Sequence, residues 1–283
     1  MFARFCALGI VLLLASAARA DHVQADLLAD VSSIQSGHPF WLGVRLNVDP
    51  GWHIYWNNPG DSGLPTRVKF NLPDGFTAGE LQYPVPHRIV LPGNIVSFGY
   101  ENTVMLLARI TPPDNLPANF QGQFEAQISW LVCSEVCIPG KTTASLTLGS
   151  SASADSSNRE LFDDWIGQLP VNAVQSSEVK SVTSEVVSAT NPTSRNCTIE
   201  IKWNRSAPDS ADFFPQALDD YNLVNTEVKS SQDTTVIGFT LQPLAGKIPA
   251  AITLDGTVGY EQDGKRRGIN ISVALPLVEG NNH

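Results

Sequence analysis

Two cysteines four residues apart, Cys133 and Cys137, are the side chains of this sequence best suited to chemistry. They lie in the run Trp130-Leu-Val-Cys-Ser-Glu-Val-Cys-Ile-Pro-Gly140. Such a pair can form a static disulfide, exchange a disulfide with another thiol, or offer two thiolates to a metal. In one continuous strand their Cα atoms would stand about 13 Å apart, at roughly 3.3 Å per residue. A disulfide needs about 4.4–6.8 Å. Bridging therefore requires the chain to turn back between them. Residues 124–132 lead in with alternating apolar positions and Lys141 to Leu148 lead out, which predicts a hairpin with both cysteines near its tip. A bridge closing so short a loop adds little to stability, because loop-closure entropy shrinks with loop length. Small, accessible disulfides are the ones that exchange readily.

A metal site would need ligands beyond two thiolates. No histidine lies nearby in sequence, and His53 and His87 reach the pair only through the fold. Copper(I) accepts a low ligand number and stays open; no other metal and no cofactor is called for. Glu135 opposes thiolate formation while Lys141 favours it. Cys197 shares a strand face with Ile199, Ile201 and Trp203, so it is expected to be a buried, inert thiol.

The elements that must position these residues are strands. Phe40, Leu42, Val44 and Leu46 alternate, as do Trp52, Ile54 and Trp56, with His53 and Tyr55 on the opposite, solvated face. Val104 to Ile110 is a continuous apolar run, and Phe124 to Val132 alternates again. Turn clusters such as Asp49-Pro50-Gly51, Asn58-Pro59-Gly60 and Pro92-Gly93 separate them, a pattern that suggests a sandwich. One helix is expected after a Ser/Ala-rich linker. Ser157 or Asn158 would cap it, Leu161, Trp165, Ile166 and Leu169 form its apolar face, and Pro170 ends it. It should pack between two β domains. Val236–Leu241, Ile252–Tyr260 and Ile269–Leu275 read as further strands, the last two joined by an Asp263-Gly264 hairpin turn.

The first twenty residues read as an export signal. Arg4 supplies the positive start, Ala7 to Ala17 the apolar stretch, and Ala18-Arg19-Ala20 the cleavage pattern, so cleavage is expected after Ala20. No later run of about 18 apolar residues offers a membrane span. Without Arg4 and Arg19, 16 basic residues face 28 acidic ones, a net charge of −12 that argues against nucleic acid. Three cysteines remain after residue 20, so at least one thiol is unpaired or bonds another chain.

Three segments together resemble one family. They are Gly51-Trp-His-Ile-Tyr-Trp-Asn-Asn-Pro-Gly-Asp-Ser-Gly-Leu-Pro65, Phe98-Gly-Tyr-Glu101 with Val104 and Leu106, and Trp130 to Gly140. The chain is similar to the amino-terminal periplasmic region of DsbD-type thiol:disulfide interchange proteins, most closely the ScsB-like branch. The resemblance covers most of residues 25–150 and, more loosely, the rest. It implies a mainly β chain: a signal peptide over 1–20, an immunoglobulin-like β-sandwich with a redox pair over 21–150, a linker with one short helix over 151–175, and a second β-sandwich-like domain over 176–283.

The resemblance also implies roles. Cys137 forms the mixed disulfide with a partner and Cys133 resolves it. Phe98 and Tyr100 stand where a loop caps the sulfurs with an aromatic ring, and His53 and Tyr55 line the same site. The implied partners are periplasmic thioredoxin-fold proteins and a separate membrane thiol-electron transporter, since the sequence contains no Cys-x-x-Cys and ends near where the first spanning helix of longer relatives is expected. If active, the protein is a protein-disulfide reductase type of thiol:disulfide interchange factor. The competing expectations are a binding or chaperone-like module with a static disulfide and a copper(I)-handling protein of a copper-tolerance system.

Overall fold

A computed structural model describes residues 18–20, 22–151, 158–188, 193–244 and 249–277. Of the expected export signal only residues 18–20 fall within that range.

The first half is a two-sheet sandwich. Its strands are β1 (Ala18–Ala20), β2 (Val23–Ala29), β3 (Phe40–Val48), β4 (His53–Gly60), β5 (Arg67–Asn71), β6 (Thr77–Ala78), β7 (His87–Leu91), β8 (Ile95–Glu101), β9 (Thr103–Thr111), β10 (Gln121–Cys133) and β11 (Cys137–Gly149). One sheet runs β1-β2-β3-β9-β6, the other β11-β10-β4-β8-β7 with β5 also on β10. The alternation read from the sequence is what closes the sandwich. Leu42, Val44 and Leu46 from one sheet and Phe124, Ala126, Ile128 and Val132 from the other are fully buried in a single core. Alternate side chains must point to opposite faces of a strand, so these runs leave one face of each sheet outward.

The helix α1 (Arg159–Ile166) follows, with Asn158 at its N-cap position. The Asn158 side chain bonds the Ala29 carbonyl instead of capping the helix. The helix lies on the outer face of the first sheet rather than between the two halves. Phe162 is its most buried residue, against Met105 and Leu107. Gly43 leaves room for this packing, since a Cβ there would stand 2.6 Å from the Met105 sulfur and 3.1 Å from the Phe162 ring. The C-terminal end of α1 does reach the second half, where Arg267 donates to the Gly167 carbonyl.

The second half is again β on β. The strands β12 (Val171–Asn172), β13 (Val179–Ser188), β14 (Arg195–Trp203), β15 (Ala211–Pro215), β16 (Tyr221–Ser231), β17 (Thr234–Pro243), β18 (Ala251–Gln262) and β19 (Lys265–Pro276) form the sheets β12-β19-β18-β15 and β13-β14-β17-β16. Ile199, Ile201, Trp203 and Cys197 point into its core, as their alternation requires. The Asp263-Gly264 turn has both residues at positive φ, 51° and 70°, the conformation that a two-residue hairpin turn of this handedness demands.

The two halves meet along β4 and β8. Phe214 of β15 belongs to the first core, edge-on to Trp56 at 6.1 Å and to Phe98 at 5.2 Å. Asn57 donates to the Gln216 side chain at 3.1 Å, Asn58 to the Pro215 carbonyl at 2.7 Å, and Arg88 pairs with Asp212 at 3.2 Å.

Candidate functional site

The cysteine pair closes the tip of the longest hairpin in the first half. Strands β10 and β11 stay in register from Gln121 opposite Gly149 to Cys133 opposite Cys137, leaving Ser134-Glu135-Val136 as the loop. The chain turns back as the spacing required: the Cα atoms are 4.2 Å apart and the sulfurs are bonded. Gly140 is needed just below, because a Cβ there would meet the Trp130 ring at 2.3 Å.

The two sulfurs differ in access. Cys133 is 1% exposed, whereas Cys137 lies open to solvent beside Val136, itself 61% exposed. Of the pair, Cys137 is therefore the residue that solvent reaches.

Cys133 is buried because β4 joins β10 only at its tip, pairing Ile54 with Val132 and His53 with Cys133. Strand β8 continues the row, with Glu101 opposite His53. Residues directly opposite in an antiparallel ladder present their side chains on the same face. Cys137, Cys133, His53 and Glu101 thus form one row across four strands on the outward face of the sheet.

His53 is 4% exposed, not solvated as alternation alone suggests. Its Nε2 stands 3.3 Å from the Tyr55 hydroxyl, and the rings meet edge-on at 5.2 Å. Burial pushes the imidazole below its usual range, against an opposing pull from Glu101. Burial likewise raises the Tyr55 phenol, opposed by hydrogen bonds with Ser62 and Ser97. The cover over this outward face comes from the segment after β4. Gly63, at φ 109°, runs so close that a Cβ would stand 2.3 Å from the Tyr55 ring. Asp61 anchors the segment to β8, its backbone N–H donating to the Val96 carbonyl and its carboxylate accepting from the Val96 N–H, both at 2.8 Å.

Phe98 and Tyr100 do not cap the sulfurs. Tyr100 is opposite Ile54, so it and Phe98 project from the inward face of the sheet, away from the cysteine row. The Tyr100 hydroxyl donates to the Pro84 carbonyl at 2.7 Å, and Phe98 packs against Phe214 with Arg88 over its ring. The physical reason is parity. A residue at an even position of β8 shares a face with Ile54 and Val132, whereas the odd positions, Glu101 and Gly99 nearest the pair and Ser97 beyond them, share one with Cys133. Glu101 and Gly63 are the site residues that spacing alone does not single out; both lie within segments that carry the family resemblance.

Cys197 is free and buried, and burial raises its thiol to about 11. Among the described residues no group of three or more His, Cys, Asp or Glu side chains is placed to hold a metal. No helix among them is long and apolar enough to cross a membrane.

Comparison with known proteins places this geometry. Residues 19–149 match the family "Thiol:disulfide interchange protein DsbD, N-terminal". The N-terminal periplasmic domain of ScsB from Proteus mirabilis shares the fold, with a TM-score of 0.65 and 18% identity over 90% of this chain and 94% of that one. A conserved domain protein from Bacillus anthracis aligns over 94% of this chain and 91% of that one, at 10% identity and a TM-score of only 0.27. No curated protein matches.

Proposed function

We propose, from a first β-sandwich that bears the DsbD N-terminal signature over residues 19–149, that this protein is a periplasmic thiol–disulfide exchange module. In this reading residues 1–20 are an export signal removed after Ala20, residues 21–150 are the redox domain, residues 151–175 link it by a helix, and residues 176–283 are a second β domain. The observation that carries the reading is the asymmetry of the pair, with Cys137 open and Cys133 buried at the end of a register that needs no staple.

The exchange runs in two balanced steps. In the reducing direction, a partner thiolate attacks the Cys137 sulfur, and the Cys133–Cys137 bond breaks as the mixed disulfide forms. Cys133 leaves as a thiolate and takes up a proton; His53 is the nearest titratable neighbour across the ladder. The partner's second thiol then displaces Cys137, so the partner is oxidised as the pair is reduced. The reverse sequence delivers the electron pair to a thioredoxin-fold acceptor, with reduced Cys137 as nucleophile and Cys133 resolving the mixed disulfide. A membrane thiol-electron transporter would supply the electrons.

Trapping tests the reading. In Cys133→Ala the lone Cys137 should accumulate a mixed disulfide with periplasmic thioredoxin-fold proteins, whereas Cys137→Ala should not. Failure to trap any adduct, together with a reduction potential well below about −300 mV, would mark the bond as structural.

A further inference from the structure

The cysteine row shares its sheet face with a patch of unpaired positive charge. Residues 21–150 contain six basic side chains, Arg45, Arg67, Lys69, Arg88, Arg109 and Lys141. Three have partners within the fold: Arg45 on Asp26 at 2.8 Å, Arg88 on Asp212 at 3.2 Å, and Arg109 over the Trp41 ring at 5.2 Å. The other three are exposed, and none forms an ion pair among the described residues. They are also neighbours. Arg67 and Lys141 both flank Ser129, one on each side, and Lys69 is opposite Gln127.

Parity puts them on the face of the disulfide. Gln127, Ser129, Leu131 and Cys133 alternate along one side of β10, and Cys137, Pro139 and Lys141 do so along β11. Lys141 is four residues from Cys137, about 13 Å along the strand, too far to act on the sulfur but within the footprint of a docked protein. Arg67, Lys69 and Lys141 also rim a cleft of about 490 Å³ with Leu81 and Tyr83. The acids on the same hairpin are Glu125, at the far end of this face, and Glu135 in the tip loop.

We infer that Arg67, Lys69 and Lys141 form the docking surface for the redox partner, and that the partner presents an acidic surface beside its own thiols. The inference rests on the exchange reading and adds the chemistry by which the partner is recognised. A chain with 16 basic and 28 acidic residues after residue 20 repels acidic proteins in general. Clustering the three unpaired cations of the first half on the reactive face makes attraction local and orients the approach. A lipid surface fits less well, because the net negative charge opposes an anionic bilayer and a membrane seated here would occupy the face the thiols must reach.

The test uses three dithiol probes: a Cys-Gly-Pro-Cys peptide flanked by three Glu, the same peptide flanked by three Lys, and neutral dithiothreitol. Rates of reduction of the Cys133–Cys137 bond are measured at low and high salt for the wild type and for Arg67→Ser/Lys69→Ser/Lys141→Ser. In each reaction the probe's two thiols become its disulfide as the pair takes up two electrons and two protons. The wild type should react about tenfold faster with the acidic than with the basic peptide at low salt, the low end of electrostatic steering. The preference should vanish in the triple variant and at high salt, with dithiothreitol rates unchanged. An equal preference in the triple variant, or none in the wild type, overturns the inference.

If dithiothreitol fails to reduce the pair at all, the exchange reading falls separately. Fluorescence anisotropy of the acidic peptide with both cysteines changed to serine then reads the patch alone, and patch-independent binding overturns the inference. Vesicles with 30% phosphatidylserine supply the last arm. Patch-dependent vesicle binding without preference for the acidic peptide would assign the surface to lipid instead.

Discussion

Cys133 and His53 face each other across the only two-residue stretch where β4 pairs with β10. That short contact buries one sulfur of the disulfide and the one imidazole beside it, while Cys137 on the neighbouring strand stays open. The division of labour between the two cysteines is thus a matter of sheet order. An inner strand protects Cys133 and an edge strand exposes Cys137.

Burial holds His53 below the ordinary histidine range. The unfolded chain therefore takes up a proton on this ring before the folded chain does. Stability is full above the unfolded value of about 6.5 and falls as pH drops below it toward the depressed folded value. Thermal melts from pH 7.5 to 5 should show Tm decreasing, and His53→Gln should flatten part of that slope. His87, depressed by burial and by Arg266, accounts for a further part and should remain in the variant.

Gly63→Val tests the cover over the site. The added side chain would collide with the Tyr55 ring in a backbone conformation that suits glycine. A loss of about 1–3 kcal/mol is expected from overpacking, read by urea denaturation.

Phe214→Ala tests the seam between the halves. Phe214 is fully buried against Trp56 and Phe98. Its truncation should cost about 3–5 kcal/mol, the usual range for a buried phenylalanine, and calorimetry should then resolve the halves as separate transitions.

Cys197 should take no part in exchange. With its thiol raised to about 11 it should resist iodoacetamide at pH 8 in the folded protein and react only in denaturant. Cys197→Ala should leave exchange rates unchanged and cost about 1 kcal/mol, the common size of a single-residue change.

Much of this arrangement is legible in the sequence. The cysteine spacing demands a turn, and the flanking alternation identifies β10 and β11 as the two arms of a hairpin. The burial of Cys197 follows from the company it keeps on its strand. What alternation does not reveal is how an outward face becomes covered. His53 and Tyr55 sit on the polar parity of β4, and only the return of residues 60–66 over that face buries Tyr55. The same blindness misplaces Phe98 and Tyr100. Family resemblance puts them where a loop should cap the pair, whereas the pairing of Tyr100 with Ile54 turns both rings inward. The helix differs for a related reason: its deepest residue, Phe162, is matched to the bare backbone of Gly43 on another strand, a complement that no local periodicity can display.

Strand β4 begins at His53, beside the disulfide, and by Trp56 to Asn58 it is already bonded to the second half. One continuous piece of extended backbone therefore spans from the reactive row to the seam. The strand that seats the second half is thus the same strand whose first residue shields Cys133.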